Sequence, residues 1–319
     1  MPMTFAPNAK LNWLDTPLAD IALIELSSAP NAIQKLMMLW RKKMVNDDFG
    51  DRMKFLEQAE AGRQLMPLLP IIVRLDGKSF HSWTKGMKRP YDERMSNLMM
   101  DVTRKLVDKT DAKIGYTQSD EISLVLYSDD YKSQVFFDGK IQKLVSVIAS
   151  MTTAIFNDSV HFHFPNPPCF NSGKMPLAFF DCRVWAVPNK WEASNSILWR
   201  EQDASKNSIS MAARSFFSHK QLHEKSGPEM QEMMFQEHGV NWNDYPTFFK
   251  RGVFYQRRKV LRPFTQEELE KIPEKFRPNP DDKIERSEIR RLEMPKFSTV
   301  INRNEVVFDG ADPITAESP

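Results

Sequence analysis

From residue 71 to residue 187 the spacing of apolar side chains switches back and forth between two periods, and the switches mark out strands and helices. Ile71-Ile72-Val73-Arg74-Leu75 is a short apolar run suited to a buried strand, set off by Pro67 and Pro70 before it and Asp76-Gly77 after it. Met95, Leu98, Met99, Val102, Leu106 and Val107 then recur at helical spacing to about residue 110. Residues 113–117 and 122–127 read as short strands around the polar turn Gln118-Ser119-Asp120-Glu121. A second helical stripe carries Ile141, Leu144, Val145, Ile148, Ile155 and Phe156, and residues 178–187 return to a strand pattern.

Strand, helix, strand, strand, helix, strand is the order of a split βαβ unit, which predicts an α+β fold with a ferredoxin-like antiparallel sheet. In that sheet the first and third strands are neighbours. The end of the first strand and the turn before the third then meet on one rim, bringing Asp76 and Asp120 together.

The flanks are less regular. Helical patterns at 35–44 and 52–65 predict a helical N-terminal extension over 1–69, ahead of a core at 70–190. Trp191, Ile197, Leu198, Ile209, Met211, Ala212 and Phe216 make 189–219 helical, with Ser194-Asn195-Ser196 and residues 205–210 expected to break or cap it. Pro228 and Gly239 bracket a further helix. Residues 191–262 complete the core domain, and 263–319, with Pro273, Pro278 and Pro280, read as a C-terminal extension that is a loosely packed tail or surface strap.

Composition removes several classes. Of 319 residues, 41% are apolar and 27% charged, with only 21 Pro and 11 Gly, which opposes disordered or collagenous character. A net charge of +2 announces no partner. Cys169 and Cys182 make no disulfide framework, no apolar run has bilayer length, and no leader pattern opens the chain, so a cytoplasmic protein without membrane partners is expected. His161 and His163, alternating on an expected strand, lack a close CxxC pair, and residues 205–210 lack a histidine–acid partnership; zinc and serine-hydrolase chemistry are set aside.

Two carboxylates held a few ångströms apart repel unless a proton or cation compensates them, and oxygen ligands of this kind suit Mg²⁺. A pair of such ions activates an attacking hydroxyl and neutralises a departing oxygen. The plainer alternative makes Asp76 and Asp120 turn and strand-cap residues. Gly77 allows close backbone approach and a carbonyl ligand, and Glu121 belongs either to the site or to the hairpin surface. Lys78, His81, Lys85, Lys88, Arg89 and Arg94 cluster after the first strand, as triphosphate partners or as an ordinary solvated loop.

RLDGKSFHSW at 74–83, KRPYDERMSNLM at 88–99, YTQSDEISLVLY at 116–127 and WREQD at 199–203 resemble, in order, the characteristic segments of the tRNA-histidine guanylyltransferase superfamily, across about residues 70–255. The resemblance implies a polymerase-like palm and a metal-dependent 3′–5′ nucleotidyltransferase. Such an enzyme uses two Mg²⁺ ions and ATP or GTP as activating and donor substrates, and adds nucleotides at the 5′ end of tRNA or a related RNA. It maps metal binding onto Asp76, Asp120 and the Gly77 carbonyl, and catalysis onto Asp76, Asp120 and Glu121. Nucleotide contacts fall on Gly77, Lys78, Ser79, Phe80, His81, Arg89, Asp92, Arg94, Ser119 and Asn207. A homo-oligomer, a dimer-based tetramer, is also implied.

Within residues 250–262, six cations with interleaved Phe254, Tyr255, Val260 and Leu261 form either a solvated cationic strand or an RNA surface. With the resemblance, Lys250, Arg251, Arg257, Arg258 and Lys259 are assigned to RNA binding. The sequence departs from the family where HINNLYN is expected: Ser205 stands at the histidine position, Asn207 is retained and Ser208 replaces the next asparagine. A KNE-like lysine has no counterpart in 235–246. A divergent member, acting in 5′-end repair or templated addition, is expected. The alternatives are a cyclase-like palm enzyme acting on free nucleotides and a catalytically silent RNA-binding protein.

Overall fold

The computed structural model describes residues 48–165, 176–279 and 282–316. The chain divides between Gly62 and Arg63 into two units. In the first, helix α1 spans Asp48–Ala61, where the pattern placed 52–65; the pattern at 35–44 lies outside the described residues.

In the second unit, β1 (Ile71–Gly77), β2 (Ile114–Gln118), β3 (Glu121–Leu126), β4 (Phe180–Ala186), β5 (Val253–Pro263) and β6 (Lys283–Leu292) form one sheet in the order β4-β1-β3-β2-β5-β6. Every neighbouring pair is antiparallel. The first four strands have the 4-1-3-2 order of the ferredoxin-like unit, as expected. Helix α2 (Glu93–Thr110) connects β1 to β2, and α3 (Ile141–His163) connects β3 to β4.

Strand alternation sorts the side chains into two cores. Ile71, Val73 and Leu75 face Leu98, Val102, Leu106, Ile148 and Phe156 of α2 and α3. Ile72 and Val125 face the opposite way, against Ala193 and Ile197 of helix α4 (Lys190–Ala213) and Phe297, Val300, Val306 and Val307. A sheet buried on both faces leaves its strand ends as the open ground for chemistry.

Three expectations are corrected. The segment after Pro263 is no loose tail: β6 pairs with β5 from Phe254↔Leu292 to Pro263↔Lys283, and Phe297, Val300, Val306 and Val307 have no exposed surface. The buried Gln256 amide ties that segment down, donating to the carbonyls of Val306 at 2.7 Å and Val307 at 3.1 Å. The serines of α4 neither break nor cap it, because Ser205 Oγ bonds back to the Glu201 carbonyl at 3.0 Å and Ser208 Oγ to the Ser205 carbonyl at 2.9 Å. His161 and His163 occupy the last turn of α3 instead of a strand.

Helix α5 (Gly227–His238) does follow the reading, with proline in its first turn and Gly239 at φ 66° ending it. Gly252 enters β5 at φ 80°, where a β-carbon would lie 2.5 Å from the Thr117 carbonyl oxygen, so only glycine fits that approach.

Phe297→Ala tests the corrected tail. A core phenylalanine predicts a loss of about 3–5 kcal/mol in urea unfolding, whereas a loose strap predicts no measurable change.

Candidate active site

The rim is built by register. Asp76 lies opposite Glu121 of β3 and opposite Asp181 of β4, and the Gly77 amide donates to the Asp120 carbonyl at 3.2 Å. Between β2 and β3 the turn is Ser119-Asp120, and Ser119 is held at φ 53°, a left-handed conformation that costs a non-glycine residue roughly 1–3 kcal/mol. Ser119 Oγ donates to Asp120 Oδ1 at 3.1 Å.

Burial pushes the Asp120 carboxyl above its ordinary value, and the negative charges of Asp76 and Glu121 push it further, against the Ser119 hydrogen bond. The ion pairs at the rim are Arg200 with Glu121 and Asp203, and Arg183 with Asp181 at 3.6 Å. Among the described residues no cation pairs with Asp76 or Asp120. No group of three or more His, Cys, Asp or Glu gathers there at metal-holding distance either. Two uncompensated carboxylates, completed by backbone, substrate and water oxygens, fit Mg²⁺, which keeps much of its hydration.

Beside the rim opens a cleft of about 420 Å³. Gly77, Ser79, Phe80 and His81 line it from the end of β1 and the following turn, Arg89 and Asp92 from the loop before α2, and Ser119 and Asp120 from the hairpin. Asp76, Lys78, Arg94, Glu121 and Asn207 of the expected set are not in its lining. The Lys78 amide donates to the Phe179 carbonyl at 2.8 Å and is therefore not free for a phosphate. Phe80 is a core residue, stacked on Trp83 at 5.5 Å, and a β-carbon at Gly77 would overlap its ring.

Asp92 and Arg94 shape the loop. Asp92 is buried, caps α2 by accepting from the Arg94 amide at 3.0 Å, and receives the Arg94 guanidinium at 3.0 and 2.7 Å and the Lys88 amide at 3.3 Å. The guanidinium holds the Asp92 carboxyl below the usual carboxylate range. Asn207 lies on α4, donating to Asp203 Oδ2 at 3.2 Å.

Sequence reasoning missed the apolar wall of the cleft, made by Met87, Met95, Met211, Phe248 and Phe249 with Tyr91. Tyr91 and Met95 were within reach, since both sit in KRPYDERMSNLM, and Met87 directly precedes it; Met211, Phe248 and Phe249 come from distant segments. It also missed the buried Glu201, whose two oxygens accept the Phe297 amide at 3.1 and 2.9 Å.

Cations of the basic stretch have partners within the chain, several of them at its surface. Arg257 pairs with Asp108 at 2.7 Å and Asp111 at 3.4 Å, Lys259 with Glu285 at 3.0 Å, and Arg258 with the Gly310 carbonyl and Asp312. Lys250 donates to the Asn243 carbonyl, and Arg251 lies beside Glu201 in a second, smaller cavity. Cys182 is buried, which pushes its thiol up to about 12 and opposes a thiolate ligand; Cys169 lies outside the described residues. No helix among the described residues is long and apolar enough to cross a membrane.

A family model described as tRNAHis guanylyltransferase matches residues 50–188. The tRNA(His) guanylyltransferase of Saccharomyces cerevisiae is 30% identical over 229 residues, spanning 67% of this chain and 92% of that protein. A bacterial tRNA(His) guanylyltransferase-like protein solved in complex with ATP is similar at 40% identity and a TM-score of 0.60, over 66% of this chain and 87% of that one. A bacterial protein of the same description in complex with GTP has 33% identity and a TM-score of 0.60, over 79% and 94%. The likeness to the yeast enzyme runs through nearly its whole length, and the segment matched by the family model contains both rim aspartates, so the chain belongs to the tRNA-histidine guanylyltransferase family.

Proposed function

We propose that the chain is a metal-dependent nucleotidyltransferase that extends the 5′ end of tRNA or a related structured RNA in the 3′–5′ direction. The observation that carries this reading is the meeting of Asp76 and Asp120 on one rim, with no cation among the described residues paired to them, beside a cleft of nucleotide size. Mg²⁺ held by Asp76, Asp120 and the Gly77 carbonyl would supply charge neutralisation at the triphosphate and at the attacking hydroxyl.

The chain's own groups divide the remaining work. His81, Lys88 and Arg89, all exposed at the cleft, receive phosphate oxygens, and Arg89 offers a two-pronged contact. Met95, Met211, Phe248 and Phe249 offer an apolar wall against which a purine packs, and the bound ATP and GTP of the two bacterial relatives favour such a seat. Ser205 at the family's histidine position argues for a substrate range beyond strict guanylate addition to tRNA-histidine.

Incubating 5′-monophosphorylated and 5′-triphosphorylated RNAs with each of the four nucleotides, and reading products at nucleotide resolution, tests chemistry, direction and base choice. Extension at the 5′ end is expected, with Asp76→Asn and Asp120→Asn each lowering it on the order of 10³-fold while unfolding is little changed. A cyclic or condensed small nucleotide formed without RNA, or RNA retention with no transfer, overturns the reading.

The Asp92–Arg94 clamp holds the loop that carries Lys88 and Arg89 through the Lys88 amide, so Asp92→Ala is expected to raise the KM for the triphosphate and to cost about 1–2 kcal/mol of stability at neutral pH. Its folded carboxyl lies below its unfolded value, so the contribution is complete above the unfolded range near pH 4 and is lost as pH falls through the folded value. Urea unfolding of wild type and variant is expected to converge on acidification. A gap independent of pH counts against the clamp.

A further inference from the structure

Position alone makes Glu121 a third acid of the rim, since it stands opposite Asp76 in the β1–β3 register and follows Asp120 in sequence. Its contacts say otherwise. Arg200 Nε donates to Glu121 Oε1 at 2.5 Å and Arg200 Nη2 to Oε2 at 2.7 Å, and the two side chains are only 13% and 15% exposed. The same Nη2 reaches Asp203 Oδ2 at 3.1 Å, and Asp203 in turn accepts from Asn207 Nδ2 at 3.2 Å. Arg200, Asp203 and Asn207 recur at the three-and-four residue spacing of one helix face, and Trp199 lies 4.6 Å from the guanidinium.

A two-pronged guanidinium–carboxylate pair at this exposure has a fixed geometry, and removing either partner leaves a poorly solvated charge. The negative charge of Glu121 is thus matched by Arg200, whereas among the described residues no cation pairs with Asp76 or Asp120. The pair also joins two elements that the rim needs in register. Asp120 sits in a two-residue turn with a left-handed serine, across the β1–β3 register from Asp76, and two carboxylates sharing one rim favour movement of the turn away from β1. A rigid tie from the first residue of β3 to the middle of α4 opposes that movement.

We propose that Glu121 and Arg200 are positioning residues: their pair clamps the β2–β3 turn to α4 and so holds Asp120 against Asp76, and Glu121 does not ligate the metal. The inference rests on the metal-dependent reading of the same rim. Asp203 steadies the guanidinium from its other side.

Wild type, Glu121→Gln, Arg200→Gln, the double variant and Asp120→Asn separate the two roles. Mn²⁺ binding is measured by calorimetry without nucleotide, alongside kcat, the KM for the triphosphate, and thermal melting. A clamp predicts that Glu121→Gln and Arg200→Gln behave alike. Each is expected to lower kcat roughly 10- to 100-fold, leave KM within about 3-fold, keep Mn²⁺ binding within about 10-fold, and melt several degrees lower. The double variant is expected to be no worse than either single one. Asp120→Asn is expected to lose Mn²⁺ binding while keeping the melting temperature.

Loss of Mn²⁺ binding in Glu121→Gln with retention in Arg200→Gln makes Glu121 a ligand and overturns the inference alone, as do additive effects in the double variant. If Glu121→Gln proves too unstable to assay, Arg200→Lys serves, since a single ammonium cannot form both prongs. It is expected to fold, with kcat reduced and Mn²⁺ bound; wild-type kcat overturns the clamp. Wild type that binds no Mn²⁺ overturns the metal reading and this inference with it.

Discussion

The convergence of Asp76 and Asp120 on one rim is the constraint on which the site in the second unit depends. The two residues come from a strand end and from a tight turn, and the antiparallel β1–β3 pairing is what forces them onto one rim. Left to electrostatics, each would turn into solvent. Burial and mutual charge instead push the Asp120 carboxyl up, which is the state of a group awaiting a proton or a cation. Folding free energy from the two cores offsets that cost. The β1 strand alternates between them without a break, with Val73 and Leu75 on one face and Ile72 on the other.

Covering both faces of the sheet also decides where chemistry is possible. Helices α2 and α3 close one face; α4 and the segment from Phe297 to Phe308 close the other. Solvent then reaches the strands at their ends, and the cleft lies where β1, the β2–β3 turn and the loop before α2 converge. That loop is itself made rigid by the buried Asp92, whose carboxylate gathers the Arg94 side chain and two backbone amides. The same logic recurs at Glu121 and Arg200, so the rim and the loop before α2 each contain one arginine–carboxylate fork.

Regular elements of the ferredoxin-like unit were legible because each buries one face and repeats with its own period. Asp76 and Asp120 were legible for the same reason, since topology follows from element order and topology sets their meeting. What escaped was long-range polar pairing. Arg200 and Glu121 are 79 residues apart, and neither residue type nor spacing marks them as partners. The serines of α4 misled because their hydroxyls find partners in the preceding turn, a possibility that intrinsic preference does not register. Phe297, Val300, Val306 and Val307 are apolar residues scattered among charges, and only the exposed second face of the sheet gives them a place to go.

The cations of β5 carry the same lesson about charge. Arg257, Arg258 and Lys259 form a dense positive run in sequence, yet Asp108, Asp111, Asp312 and Glu285 meet them in space. A similar economy holds in RLDGKSFHSW. Leu75, Phe80 and Trp83 are core residues, Gly77 leaves room for the Phe80 ring, and the Lys78 amide joins the strand end to Phe179. Much of the segment that most clearly marks the family is therefore folding information. It fixes one strand end beside the turn carrying Asp120, and the residues of the motif that do reach the rim and cleft, Asp76, Gly77, Ser79, Phe80 and His81, are held there by those that pack.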